Sequence, residues 1–252
     1  MNRLYIIEGL PCSGKSTTAT FVADVLAARG RQVRCIDEGT GDHPADYEFH
    51  AYVDGRVIPL NTVPPEDLPA LLPYKIYDDG SPAGRLPWET EAPLMLDKWR
   101  QFVCEAEPDT AYVFNCVLLQ NPMCETMMRF GMPEEQSAAH IRAIAEIIAP
   151  MEPVVIRLHV SGVAERVCET AQERPGWLEA VIPYHVEGAY GKSIGAEGFD
   201  GYVACLEERQ RREERILASL PLRSVTLRDA HHDWEAARRE LVLLARYDCL
   251  MT

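Results

Sequence analysis

The chain has 252 residues, of which 47% are hydrophobic and 25% are charged, and its formal net charge is −14. These proportions are those of an ordinary folded globular protein, so they exclude a disordered or a fibrous chain. Because the negative charge is spread along the sequence, it repels the backbone of a nucleic acid. We therefore expect no nucleic-acid partner, although a small phosphorylated ligand is compatible with a local basic site.

The eight cysteines are scattered and form no Cys-x-x-Cys pair. This pattern indicates neither a zinc site nor a disulfide framework. No stretch reaches 18 apolar residues, and the first residues do not have the pattern of an export signal, so we expect no membrane span and no export. Together these features predict a cytoplasmic protein with reduced thiols.

The first elements of the chain alternate between strand and helix. The apolar run over residues 3–8 predicts a buried strand, and helical periodicity over residues 15–29 predicts a helix. Residues 32–36 predict a second strand, which ends at Asp37 and Glu38. This succession is one strand–helix–strand unit of an α/β fold.

Residues 39–93 are rich in Pro, Gly, Asp and Tyr and lack periodicity, which predicts a long excursion of loops and short helices rather than sheet. The charged run over residues 207–215 predicts an exposed helix with ion pairs. Alternating strands and helices predict a parallel sheet covered on both faces, in a single domain over residues 1–252. The other expected strands lie at 112–119, 154–160 and 224–227, and the other expected helices at 94–106, 134–149, 166–172, 201–220 and 233–246.

One motif has a specific chemical meaning, the match to G-x-x-x-x-G-K-S over Gly9-Leu10-Pro11-Cys12-Ser13-Gly14-Lys15-Ser16. Such a loop turns tightly enough to point its amide groups at phosphate oxygens. Its lysine would reach the β- and γ-phosphates, its serine would bind Mg²⁺, and the following helix would add its positive end. We therefore expect ATP, or another nucleoside triphosphate, to be bound with Mg²⁺ by Gly9, Pro11, Cys12, Ser13, Gly14, Lys15, Ser16 and Thr17.

The loop and the layout resemble the P-loop kinase branch of the P-loop NTPases, nearest to the nucleoside and nucleotide kinase-like (thymidylate kinase-like) group. The resemblance implies a three-layer α/β fold with a central parallel five-stranded sheet and helices on both faces. It also implies that the phosphoryl acceptor lies over the carboxyl ends of the strands. The insertion after the second strand, about 39–93, would hold the acceptor, and residues about 162–200 would form a lid.

Phosphoryl transfer also needs a carboxylate for Mg²⁺ or for the acceptor hydroxyl, and cations for the γ-phosphate. The resemblance implies an acidic residue after the second strand, so we expect Asp37 to contact Mg²⁺ and Glu38 to orient the acceptor. A solvated acidic turn is the alternative. The strand at 112–119 carries Asn115 and no carboxylate, which departs from the acidic Walker B residue of the family. Its amide is expected to bind substrate or a Mg²⁺-bound water.

The remaining candidate residues lie in the excursion, in the lid and after the third main strand. Arg166 and Arg174 are expected to clamp the phosphates, although arginines on a solvated helix are common. His43 and Tyr47 are expected to contribute to an acceptor pocket. The run Gln120-Asn121-Pro122 predicts a polar turn, in which Gln120 would contact the substrate.

These residues predict a cytoplasmic kinase that transfers the γ-phosphate to a hydroxyl or phosphate of a nucleoside, nucleotide, antibiotic or other metabolite. The alternative is a P-loop NTPase or a nucleotide-binding regulatory protein without a small-molecule acceptor. The sequence has no Asp-x-x-Gly after the third main strand and no Asn-Lys-x-Asp for reading guanine, which favours the kinase. The expected partners are the triphosphate and the acceptor, with a homodimer left open.

Overall fold

The computed structural model describes residues 2–76 and 86–247, with side chains to Leu244. The described strands and their bounds are β1 Leu4–Gly9, β2 Gln32–Ile36, β3 His50–Val53, β4 Arg56–Pro59, β5 Thr110–Asn115, β6 Val154–His159 and β7 Arg223–Arg228. The described helices are α1 Lys15–Ala27, α2 Leu68–Leu71, α3 Trp88–Glu105, α4 Gln120–Met123, α5 Glu134–Ile148, α6 Val163–Glu173, α7 Trp177–Val186, α8 Ala189–Ser193, α9 Gly198–Ser219 and α10 Trp234–Tyr247.

Five of the strands form one parallel sheet in the order β2-β5-β1-β6-β7. Strand β1 is central and is buried on both faces, which explains its nearly continuous apolar sequence. Leu4 and Ile6 pack with one core cluster, whereas Tyr5 and Ile7 pack with the other. The alternation follows from the period of two along a strand. The expected α/β fold with a five-stranded parallel sheet is confirmed.

Helices flank the sheet on both faces. On one face α1 and α10 bury Val22, Leu26 and Leu241 against the sheet. On the other face α3, α5 and α9 contribute residues such as Trp99 and Ile144. The carboxyl ends of the parallel strands therefore emerge at one edge, between two layers of helices, and this edge positions the residues considered below.

The excursion after β2 contains sheet, contrary to our prediction. Strands β3 and β4 form an antiparallel hairpin in which His50 pairs with Pro59. Its turn is made by Asp54 and Gly55, both with positive φ (49° and 78°). Asp-Gly between β-branched and aromatic residues is a strong hairpin signal, and a periodicity search over a long window misses it because each strand has only four residues.

Helix α3 begins earlier than predicted, at Trp88 rather than at residue 94, and continues through Pro93. The acidic side chains of Glu89 and Glu91 lie in its first turn, where the positive end of the helix dipole favours them. The excursion therefore ends before Trp88, whereas it was predicted to extend to residue 93. Its residues 77–85 lie outside the described part of the chain.

Strand β5 is shorter than predicted and ends at Asn115. Cys116 has a positive φ of 70°, which turns the chain out of the sheet. Residues 117–119 are buried and apolar, so composition alone cannot distinguish them from a strand. The polar turn expected at Gln120-Asn121-Pro122 is wrong, because these residues begin α4.

The charged run of α9 is only partly exposed. Arg209 and Glu213 are buried and form an ion pair of 3.1 Å between Nε and Oε1, whereas Arg212 and Glu208 pair at 2.8 Å near the surface. Mixed charges at helical spacing predict the pairing but not which face of the helix meets the core. No helix in residues 2–76 and 86–247 is long and apolar enough to cross a membrane.

Candidate functional site at the carboxyl ends of the strands

The loop from Gly9 to Ser16 joins β1 to α1, as the motif requires. Two of its positions need glycine. Gly9 has φ 151°, and a Cβ there would lie 2.6 Å from the carbonyl oxygen of Leu158. Gly14 has φ 95°, and a Cβ there would overlap the indole of Trp234. The loop is therefore packed tightly between β6 and α10, and only a residue without a side chain fits at these points.

The first turn of α1 carries no acidic residue. Gly14 is the N-cap, with no side-chain cap. The first hydrogen bond of the helix runs from the amide of Thr18 to the carbonyl of Gly14 at 3.0 Å. The amide groups of residues 15–17 precede that bond, and they border a cleft of about 440 Å³. Such amides, with the helix dipole, favour an anion.

Lys15 adds a full positive charge to this end of the cleft. Its side chain is buried, and Nζ donates to the carbonyl oxygens of Gly9 at 3.1 Å and Leu10 at 2.9 Å. The ammonium group is therefore held against the loop itself. Lys15, Ser16 and Thr17 line the same cleft, so the charge of the lysine and the dipole of α1 act on one volume.

Ser16, Asp37 and Asn115 meet although they are far apart in sequence. Asn115 Nδ2 lies 3.4 Å from Ser16 Oγ and 3.0 Å from Asp37 Oδ1. They meet because β2 and β5 are parallel neighbours, so their carboxyl ends reach the same edge as the loop. A hydroxyl and a carboxylate oxygen around one point are ligands that suit Mg²⁺.

Glu38 lies next to this group and lines the cleft. Its amide donates to Asn115 Oδ1 at 2.7 Å, and its Oε1 accepts a hydrogen bond from Gln120 Nε2 at 2.8 Å. Three residues expected on the acceptor side, Glu38, Asn115 and Gln120, are thus joined in one chain of hydrogen bonds. The Glu38 carboxylate remains exposed.

The two expected arginines also line this cleft. Arg166 extends from α6, and its Nε donates to the carbonyl of Cys12 at 2.9 Å while its Nη1 pairs with Glu169 at 2.8 Å. Arg174 directly follows α6, is exposed and also lines the cleft. Both guanidinium groups therefore border the volume that Lys15 faces. The aromatic side chains along the same cleft are Trp177, Tyr184 and Trp234.

His43 and Tyr47 are not among the residues lining this cleft. The His43 ring is buried against Phe114, with ring centroids 4.6 Å apart, and its Nδ1 accepts the amide of Ala45 at 3.2 Å. Burial lowers the pKa of His43 to about 3, so the ring is neutral. Tyr47 packs against His50 and beneath the ammonium of Lys98. The contacts described for both residues hold the excursion together.

Sequence reasoning missed Glu8, which it treated as part of an apolar strand. Its carboxylate is fully buried and accepts the amides of Leu118 at 2.8 Å, Leu119 at 2.9 Å and Gln120 at 3.1 Å. Burial raises its pKa to about 7. A signal was available, because a single acidic residue inside an apolar strand must find partners when it is buried.

No family model matches the chain, and no curated protein matches it either.

Proposed function

We propose that this chain has the P-loop NTPase fold and is a cytoplasmic kinase that transfers the γ-phosphate of ATP, or of another nucleoside triphosphate, to a small-molecule acceptor. The observation that carries the proposal is the shared cleft. The Gly9–Ser16 loop, the acidic residue Glu38 and the arginines Arg166 and Arg174 all line it. A donor site, an acceptor-side carboxylate and clamping cations are the parts that phosphoryl transfer requires.

The triphosphate binds at the amino end of α1. The amides of residues 15–17 and the ammonium of Lys15 surround the β- and γ-phosphates, with the side chains of Ser13 and Thr17 and the backbone of Pro11 and Cys12 completing the loop. The nucleobase would lie beside Trp177 and Trp234, which line the same cleft. An aromatic face is a natural partner for a nucleobase.

Ser16 and Asp37 would hold Mg²⁺. This arrangement accounts for the missing carboxylate on β5, because the neighbouring strand β2 brings Asp37 to within 3.0 Å of the Asn115 amide. Asn115 orients that carboxylate and would bond a metal-bound water. A bound Mg²⁺ would supply positive charge against the phosphates during transfer.

Glu38 orients the acceptor hydroxyl and receives its proton as the oxygen attacks the γ-phosphorus and the bond to the β-phosphate oxygen breaks. Arg166 and Arg174 stabilise the charge on the transferring group. The groups bonded to Glu38 include the side-chain amides of Asn115 and Gln120 and the thiol of Cys116. These groups are neutral, which favours a hydroxyl over a phosphate as the accepting group. A nucleoside, an antibiotic or another hydroxylated metabolite fits this description.

The test is a screen for ATP-dependent mass gain of one phosphate across pools of nucleosides, nucleotides, antibiotics and other hydroxylated metabolites. We expect ATP consumption only when the accepted compound is present, together with a product heavier by one phosphate. The competing functions are acceptor-independent hydrolysis by a regulatory NTPase and nucleotide binding with little turnover, and the amide at Asn115 in place of a carboxylate favours the second of these over the first. ATP loss that persists after every candidate acceptor is removed would reject the kinase.

A further inference from the structure

Glu8 is the residue immediately before the loop, and its carboxylate is fully buried. A buried carboxylate is costly unless it is well hydrogen-bonded. Here both oxygens are used, Oε1 by the amides of Leu118 and Leu119 and Oε2 by the amide of Gln120. Glu8 does not line the cleft, so it has no direct contact with a ligand there.

The three amides belong to the turn that carries the chain from β5 into α4. Cys116 opens this turn with φ 70°, and its carbonyl accepts the amide of Asn121 at 2.9 Å. A carboxylate from a different strand thus caps the start of α4, as an N-cap side chain would do within one segment. The position of Gln120 therefore depends on Glu8.

The side chain of Gln120 in turn holds Glu38. Its backbone amide is held by Glu8, and its side-chain Nε2 donates to Glu38 Oε1 at 2.8 Å. Glu38 follows β2, which lies on the opposite side of β5 from β1. Gln120 therefore links Glu8 of β1 to Glu38 across β5, through one backbone and one side-chain hydrogen bond. The bond leaves Glu38 with a fixed carboxylate that still faces the cleft.

We propose that Glu8 is a positioning residue, which holds Gln120 and, through Gln120, fixes the carboxylate of Glu38 for phosphoryl transfer. The inference rests on the proposed function for the role of Glu38. Glu8, the residue before the Gly9–Ser16 loop, would thus set the geometry of the acceptor side, although Glu8 itself contacts neither nucleotide nor acceptor.

The first experiment needs no acceptor and follows the side-chain amide signal of Gln120 by NMR, assigned from its loss in Gln120→Ala. Glu38→Gln defines the shift that results when the partner of that amide changes. We expect Glu8→Gln to move the signal as well, because the NH2 group that replaces one carboxylate oxygen is a donor and cannot accept a backbone amide. The matched control is Glu91→Gln, which alters another fully buried carboxylate, at 3.0 Å from Arg129, and should leave the signal in place.

The second experiment uses the acceptor found in the screen. Glu8→Gln should lower kcat by roughly tenfold to a hundredfold, as misplacement of a reacting group does, while the KM for ATP stays within about twofold of the original. Glu8→Gln and Gln120→Ala should be non-additive, because they act on one path. Should Glu8→Gln fail to fold, Glu8→Asp draws the carboxylate back by one methylene and tests the same contact.

An unchanged Gln120 signal in folded Glu8→Gln, or additive losses in the double variant, would overturn the positioning role and leave Glu8 as a stabilising residue. These outcomes are distinct from failure of the proposed function. If the unaltered protein phosphorylates no compound in the screen, the kinase is rejected, while the NMR comparison still decides whether Glu8 controls the contact between Gln120 and Glu38.

Discussion

The two sides of the cleft are built in different ways. The proposed nucleotide side comes from one contiguous segment, residues 9–17, in which one buried lysine and the start of α1 line the cleft. The proposed acceptor side is assembled from the residues that follow β2, Asp37 and Glu38, with Asn115 of β5 and Gln120 of α4, and these meet through side-chain hydrogen bonds.

The difference has a physical consequence. A site made from local backbone depends on a few dihedral angles and is robust to changes elsewhere, whereas a site made from distant side chains depends on the supports that hold them. Variants on the nucleotide side should therefore remove binding outright. Variants on the acceptor side should reduce the rate while leaving the nucleotide bound.

The largest expected effect is that of Lys15→Ala. Removing the ammonium beside the open amides should reduce ATP turnover on the order of a hundredfold or more and weaken nucleotide binding, because it deletes the one full charge that the loop contributes. Binding of a fluorescent ATP analogue and turnover measure both effects. The control is Lys192→Ala. Lys192 is exposed and lies in a second Gly-Lys-Ser, but Val186 stands where the motif requires its first glycine. Equal behaviour of the two variants would refute a phosphate-binding loop.

An intermediate effect is expected for Asp37→Asn, where the two sides of the cleft meet. Loss of the carboxylate should raise the Mg²⁺ concentration needed for half-maximal turnover by about 10- to 100-fold, with little change in binding of metal-free nucleotide. Turnover titrated with MgCl₂ measures the shift. Asp24→Asn, which removes an exposed carboxylate from the outer part of α1, should leave the titration unchanged. A normal Mg²⁺ requirement in Asp37→Asn would remove Asp37 from the metal site.

The same difference explains which features of the fold and of the site could be predicted from the sequence. The parallel sheet and the position of the Gly9–Ser16 loop between β1 and α1 were predictable because apolar strands, helical spacing and the loop motif are local patterns. The contacts of Asn115 with Ser16 and Asp37 were not, since they depend on which strands become neighbours. Glu8 was missed for a related reason, because its partners lie 110 to 112 residues away in the chain.

The smallest expected effect concerns the neutral ring of His43, which lies in the excursion, outside the lining of the cleft. The pKa of His43 is lowered to about 3 in the folded protein, below the value of about 6.5 expected when unfolded. The unfolded chain therefore binds a proton that the folded chain does not, and the free energy of unfolding should fall as pH decreases from about 6.5 towards 3.

The substitution that tests this is His43→Asn, because asparagine can still accept the amide two residues later, as His43 does from Ala45, but cannot titrate. Denaturant unfolding at pH 7 and pH 5 should show a smaller loss of stability on acidification than in the unaltered protein. Some loss should remain, since burial also lowers the pKa of His140 to about 4 and that of His185 to about 3. An unchanged dependence on pH would mean that His43 is already protonated or solvent-exposed. The excursion around His43 would then be less tightly packed against Phe114 than its contacts indicate.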